Sequence, residues 1–484
     1  MLINKKETIV LLLITLTGVV LRLYHIDGIS LWNDELLTIQ FVNHSIPGMF
    51  ATIWPKEMNM TLYYLFCNLW LHLFTHPSEG TLRMLSVIFS VLGIPAVYFL
   101  GRTISDDKKI ANTTGWIAAS LIAVNAFNIQ YAQDLRSYGL LFLLSTLSTL
   151  LFIKIIRNSR SWKLWLAYTL VNIGGIYSHY FFVLLLFAQA LSLIAIVTES
   201  SRSIPWKKLI ISYAAVAISA IPQFIAALIA GTGGLAFLGK PGFASLVGVF
   251  ILMGGTTYKW IIFYVIAVLA GLFVGWTWSK KEIAKKWALV LFVSCSVLPA
   301  CLVWIESELH TPLFDAHYFL FSEPFMAVIA AFGIVKMLHM ESRVAKFCGA
   351  LLFGLVIMFS LMGVKNYFTS YKNEDWRGVS QLLEAECSGA DALRLYYPAY
   401  TQDFTSFYDP RVSTQDPDLE NSELQTPNPT ITTKSIPTDY RRVCLVVRPA
   451  YVHPATILSA LQAQYPNMIP TPSFSLLDVY IYEK

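Results

Sequence analysis

Apolar runs near 18 to 20 residues recur along the first 364 positions, each long enough to cross a hydrocarbon layer of about 30 Å as a helix. A backbone in lipid must satisfy its own hydrogen bonds, so runs of this length leave one architecture, a polytopic helical bundle. Composition agrees: 56% of the 484 residues are apolar and 13% charged, against roughly a quarter charged in soluble proteins. A soluble enzyme and a single-anchor enzyme are both excluded. The net charge of +5 divides unevenly, because residues 365–484 hold 10 Lys+Arg and 14 Asp+Glu, leaving +9 on the rest. That excess sits in membrane loops and gives no sign of nucleic-acid binding.

Short loops rich in Lys and Arg stay in the cytoplasm. Six clusters, from Lys5/Lys6 to Lys336/Arg343/Lys346, contain 19 of the 35 basic residues, and the intervening loops hold six, Arg22 and Arg136 among them. The alternation predicts about eleven spans, near 8–23, 83–101, 113–129, 139–156, 164–178, 182–198, 209–225, 260–278, 287–304, 318–337 and 347–364. The N-terminus is then cytoplasmic and the tail extracytoplasmic, in a cell membrane. Parity demotes two shorter apolar stretches: 61–75 reads as a helix on the outer surface, and 244–256 as an interfacial or re-entrant piece.

Two domains are expected. Residues 1–364 form the transmembrane domain, with a first outer loop at 24–82, and 365–484 form a small extracytoplasmic α/β domain. The latter has a helix at 375–386, strands at 443–447 and 476–482, and a Pro/Thr/Ser/Asp-rich loop insert at 412–438. Its only cysteines, Cys387 and Cys444, are placed where a disulfide is permitted.

Ionisable residues in the membrane half gather at predicted outer ends. Trp32, Asp34 and Glu35 lie just past the first span. Lys56, Asn59, Tyr63 and Tyr64 lead into the surface helix, and Arg83 begins the second span. Asp134, Arg136 and Tyr138 occupy the second outer loop. His179 with Tyr180, and His317 with Tyr318, mark two further outer edges. Each cluster alone has an ordinary interpretation as a solvated acid pair, a local ion pair or an interfacial aromatic belt. Their common side favours a site: carboxylates to accept a proton, a planar guanidinium to bind phosphate oxygens, and aromatic walls.

The order of these motifs, Trp32-x-Asp34-Glu35, Asn59 to Tyr64, Leu82-Arg83, Tyr131 to Tyr138, Tyr177 to Tyr180 and His317-Tyr318, resembles the bacterial branch of protein O-mannosyltransferase-like glycosyltransferases. These are GT-C fold enzymes related to the lipid A aminoarabinose transferases. The similarity runs from about residue 8 to 340, and Asp375 to Val379 resembles a segment in the tails of many members. It implies a polyprenyl-phosphate sugar donor, an unidentified acceptor, membrane lipids as surroundings, and transfer with inversion on the outer face. By the resemblance Asp34 is the general base, Glu35 assists in binding, Asp134 is the second acid, and Arg136 and His179 face phosphate or sugar. The sequence departs from the family at Asn59-Met60-Thr61, where His-Pro-Pro is commoner; this removes an imidazole able to hold a divalent cation, and the metal stays open. It departs again at His317, where many members have Arg. The competing interpretation is a transporter or flippase of a lipid-linked saccharide, which Glu323 beside Pro324 inside the tenth span favours.

Overall fold

The structure, a computed structural model, describes residues 4–484 except 55, 76, 158–159, 198–203, 232–238, 278–282, 371–372, 398–404, 406, 409–438 and 450–453. The loop insert expected at 412–438 lies outside the described residues.

Helix α1 (Lys5–Leu23) begins at a reciprocal cap in which Asn4 and Glu7 each accept the other's backbone N–H. Three helices fill the first outer loop: α2 (Asn33–Val42), α3 (Ile46–Ile53) and α4 (Thr61–Leu71). Then follow α5 (Glu79–Gly101), α6 (Lys108–Ala123), α7 (Ala126–Ala132), α8 (Tyr138–Arg157), α9 (Trp162–Ile176), α10 (Phe182–Ser192), α11 (Ile194–Val197) and α12 (Trp206–Ala230). The helical part closes with α13 (Gly242–Met253), α14 (Ile261–Trp276), α15 (Ile283–Leu309), α16 (Glu323–Leu338, preceded by a tight turn from Ala316) and α17 (Arg343–Ser370).

Every one of the eleven expected spans contains a helix. Among the described residues six helices are long and apolar enough to cross a membrane, or seven if α6 and α7, bent by 60° at their junction, count as one. Of the others, α9 has 15 residues and rises about 22 Å, while α1 carries Lys5, Lys6, Glu7 and Arg22. α13, at 12 residues, is about 18 Å long, too short to span. The bend between α6 and α7 follows from Asn125. Its side chain accepts the Asn128 N–H at 3.1 Å, so a new helix starts inside an apolar run.

Contact clustering divides the chain into two units, residues 1–26 with 41–370, and residues 27–40 with 371–484. In the first, α16 and its preceding turn are the most enclosed of the six long helices, and α12 and α17 the least. α14 and α16 cross closely because both present glycine: a Cβ on Gly333 would lie 2.2 Å from the Ala267 carbonyl oxygen, and one on Gly271 2.3 Å from that of Ile329.

The second unit holds α18 (Trp376–Glu386), β1 (Ala392–Tyr397), β2 (Arg442–Val447), α19 (Ala455–Gln464), β3 (Asn467–Ile469) and β4 (Asp478–Glu483). The sheet order is β1-β2-β4-β3, with β1 parallel to β2 and the other pairs antiparallel. Cys387, at the end of α18, is disulfide-bonded to Cys444 of β2, their Cα atoms 6.5 Å apart. Beneath α18 the buried Glu374 carboxylate accepts from Arg448 Nε at 2.6 Å and from the Trp376 indole at 2.8 Å. The transmembrane helix α17 runs to Ser370, six residues past the expected boundary at 364, and the segment 27–40 groups with the tail.

Candidate functional site

The second unit carries Trp32, Asp34 and Glu35. All three fall in the segment expected as the first outer loop, where Asp34 and Glu35 form the first turn of α2. The fully buried Glu35 turns its carboxylate back to the Trp32 N–H at 3.3 Å, the reach of a helix-capping glutamate. Asp34 is partly exposed; its Oδ1 accepts from Asn33 Nδ2 at 3.2 Å, and its carbonyl from the Thr38 hydroxyl at 2.8 Å. The approach to α2 is fastened to the tail. The Tyr408 phenol oxygen accepts the Leu31 N–H at 2.9 Å and lies 3.0 Å from Ser30 Oγ. Ser30 Oγ in turn accepts the Arg377 N–H at 3.2 Å, and the Arg377 guanidinium donates to the Asp27 carbonyl at 2.8 Å.

The first unit holds the other named residues. After α7 the chain makes a short turn at Gln133–Ser137 in which the Arg136 N–H donates to the Asp134 carbonyl at 2.8 Å. The Arg136 carbonyl accepts Ser86 Oγ at 3.2 Å, and Ser86 Oγ lies 2.5 Å from the Tyr63 hydroxyl, so α4 and α5 fix the loop from beneath. The Arg136 side chain is 9% exposed and pairs with Glu57 at 3.5 Å. Asp134 and Arg136 lie within electrostatic reach of Tyr63 and Cys67, respectively, on the buried face of α4. Tyr63 and Tyr64 are fully enclosed, and Lys56 is exposed.

His179 and His317 come together with Arg136. The Phe181 N–H donates to His179 Nδ1 at 3.1 Å, which leaves the ring proton on Nε2. Burial, then the neighbouring His317 and Arg136, push His179 down to about 3, so it is a neutral imidazole. Its Nε2 and the Ser137 hydroxyl are buried with no hydrogen-bond partner among the described residues. Tyr318 packs on His179 at 5.1 Å between ring centroids, and Tyr131 and Tyr138 pack on His317 at 5.4 and 4.9 Å. Asp315 holds His317 Nδ1 at 2.9 Å. Burial pushes the Asp315 carboxyl up, but the His317 hydrogen bond and charge and two backbone amides outweigh it, leaving it below the usual range.

Asn59, Tyr180 and Arg83 have structural partners that sequence reasoning did not foresee. Asn59 Oδ1 accepts the Tyr180 N–H at 2.9 Å and so holds the α9–α10 turn. The Tyr180 hydroxyl donates to the Gln223 carbonyl at 3.3 Å, and Arg83 Nη1 donates to the Ile26 carbonyl at 2.9 Å. Two acids at the site, Glu57 and Asp315, were passed over in the sequence. The available signal was proximity: one precedes Asn59 by two residues, the other precedes His317 by two.

Among the described residues no three His, Cys, Asp or Glu side chains gather as a set able to hold a metal ion. Asn59, at the position where an imidazole was considered, is engaged by a backbone amide.

No protein family and no curated protein matches the sequence. Solved structures do. ArnT from Cupriavidus metallidurans bound to undecaprenyl phosphate superposes with a TM-score of 0.60 at 10% identity, covering 97% of both chains. The oligosaccharyltransferase of Archaeoglobus fulgidus in the apo form gives 0.57 at 12% identity, over 90% of this chain and 69% of that one. The same organism's AglB in complex with an inhibitory peptide and a dolichol-phosphate gives 0.56 at 12%, over 98% and 74%. The chain has the GT-C fold. It is an all-α polytopic membrane protein with a small C-terminal α/β domain.

Proposed function

We propose that this protein is a membrane glycosyltransferase that moves a sugar from a polyprenyl-phosphate donor to an acceptor on the extracytoplasmic face, with inversion. The observation that carries the reading is Arg136, a nearly buried guanidinium at a loop of a GT-C fold, beside an imidazole Nε2 and a hydroxyl that are buried without partners among the described residues. Buried polar atoms of this kind suit a polar ligand, and a guanidinium fork suits a phosphate. Two structural neighbours support the ligand class, since ArnT was solved with undecaprenyl phosphate and AglB with a dolichol-phosphate.

In the proposed reaction an acceptor hydroxyl oxygen attacks the anomeric carbon as the bond from that carbon to the phosphate oxygen breaks. The electron pair leaves with the polyprenyl phosphate, and the hydroxyl proton goes to the Asp34 carboxylate. Arg136 receives the growing phosphate charge, the neutral His179 offers an N–H, and the Asp315-held His317 offers a second imidazole. Glu35 acts indirectly, as the cap that orders the turn bearing Asp34. Asp134 is the second acid and shares its loop with Arg136. The rings of Tyr131 and Tyr138 pack on His317 and that of Tyr318 on His179, and Trp32 precedes the base. The N-terminus is cytoplasmic and the tail extracytoplasmic. Glu323, the residue that favours transport, is fully buried and hydrogen-bonded to Asn128, a setting that accounts for a membrane carboxyl without a transport path.

The test joins binding to product. Undecaprenyl phosphate should bind the purified protein in nanodiscs, and mass analysis of cell-envelope glycans with and without the protein should differ by a sugar residue. Absence of both would remove the reading.

A further inference from the structure

Arg22 was counted in the sequence as an outer-loop residue, yet it lies in the last turn of α1 and is fully buried. A guanidinium has five N–H donors, and all five are used. Nε donates to Ser90 Oγ at 2.8 Å. Nη1 donates to the carbonyls of Gly18 and Ala123, both at 3.1 Å, and Nη2 to the Ile122 carbonyl at 3.1 Å and to Asn128 Oδ1 at 2.7 Å. Ile122 and Ala123 are the last two residues of α6, so the cation sits on carbonyls at the negative end of that helix.

Asn128, on α7, joins this cation to the Glu323 carboxyl group. Its Oδ1 accepts from Arg22 and from Ser90 Oγ at 2.8 Å, while its Nδ2 donates to Glu323 Oε2 at 2.7 Å. Glu323 is the first residue of α16, fully buried, at the positive end of its helix. One side-chain amide thus meets both groups, oxygen toward the guanidinium and nitrogen toward the carboxyl. α7 is held at its other end too. Gln133 Nε2 donates to the carbonyls of Arg22 at 2.9 Å and Tyr24 at 2.8 Å, and its Oε1 accepts the Tyr367 hydroxyl at 2.8 Å. The next residue in the chain is Asp134.

We propose that Arg22, Asn128 and Glu323 form a hydrogen-bonded brace that fixes the short helix α7 and thereby sets the positions of Asp134 and Arg136, with Asn128 a positioning residue for the site. The brace stands on geometry; its consequence for transfer rests on the reading given above. An apolar contact of the same volume would hold two helices together as well or better, because desolvating charges is costly. What hydrogen-bonded charges add is direction. They specify one rotation and one register for a helix of seven residues that is too short to hold itself.

The experiment is a reciprocal exchange in the full chain, read by amide hydrogen exchange over residues 126–138 and by undecaprenyl phosphate binding. Asn128→Asp turns a donor into a carboxylate facing Glu323, and protection over this stretch should fall about tenfold or more. Adding Glu323→Gln restores one donor against one acceptor. Protection should then return to within about threefold of wild type, and undecaprenyl phosphate binding should follow it. Unchanged protection in Asn128→Asp, or a double variant as unprotected as the single one, would overturn the brace. If Asn128→Asp fails to fold, Ser90→Ala serves. It removes one neutral contact to both Arg22 and Asn128, and its loss of protection should be confined to 126–138; a uniform loss, or none, counts against the proposal. Protection that responds as expected while undecaprenyl phosphate binding does not would uphold the brace and count against Arg136 as the phosphate ligand.

Discussion

Removing the Arg136 guanidinium is the most direct challenge to the phosphate site. Its side chain is 9% exposed and its partner Glu57 29% exposed, 3.5 Å away. A charge-assisted bond to a phosphate is worth about 1.5 to 3 kcal/mol, a factor of about 10 to 150 in affinity. The low exposure of Arg136 leaves little water to replace the contact, so Arg136→Ala should fall in the upper half of that range. Arg136→Lys keeps the charge but loses the fork, and should fall between alanine and wild type. Glu57→Gln should act in the opposite direction. Glu57 competes with a phosphate for the guanidinium, and a partly exposed pair contributes about 0.2 to 1 kcal/mol, so its removal should tighten binding by about 1.5- to 5-fold. The assay is undecaprenyl phosphate titration of each variant in nanodiscs, with thermal unfolding as a control for folding. A folded Arg136→Ala that binds within about twofold of wild type would refute the assignment.

Asp34→Asn should reduce transfer by about 10²- to 10⁴-fold while leaving undecaprenyl phosphate affinity nearly intact, which a donor titration beside a transfer assay would separate. Tyr408→Phe removes the phenol oxygen that accepts the Leu31 N–H; it should slow transfer more than it weakens donor binding and raise hydrogen exchange over residues 27–40. His179 has its ordinary value of 6.5 lowered to about 3 in the fold. The stability it permits is therefore complete above about 6.5 and is lost as pH falls from there toward 3. His179→Gln should flatten that part of the stability curve, and an unaltered slope would show that the ring is not buried neutral. Cysteine labelling from outside the cell should reach Ser459→Cys and not Lys108→Cys; the reverse pattern would invert the topology.

The helical layout was legible because each apolar run is a local statement about solvent. The break between α6 and α7 was hidden, since Asn125 lies within a run that is otherwise apolar, and only the cap it gives Asn128 ends the helix. Arg22 and Glu323 misled for a related reason. Read singly, one looked like a loop cation and the other like a residue of a transport path, and the amide joining them lies 106 residues from the first and 195 from the second. At the site, residue types were readable and partners were not. The bonds from the Trp32 N–H to the Glu35 carboxylate and from the Tyr180 N–H to Asn59 Oδ1 are set by backbone geometry that no spacing in the sequence announces.

The hydrogen bonds from Tyr408 and Arg377 to the segment before α2 also bear on how the protein is made. Asp34 is synthesised early relative to the groups that hold its approach, which follow more than 340 residues later. A nascent chain that has inserted α1 to α17 still lacks the partners of Leu31 N–H and the Asp27 carbonyl. The loop bearing the proposed base therefore acquires these partners only once the tail has been synthesised and has folded. An otherwise inserted chain truncated after α17 would keep Arg136 and its surroundings and lose the fastening of Asp34.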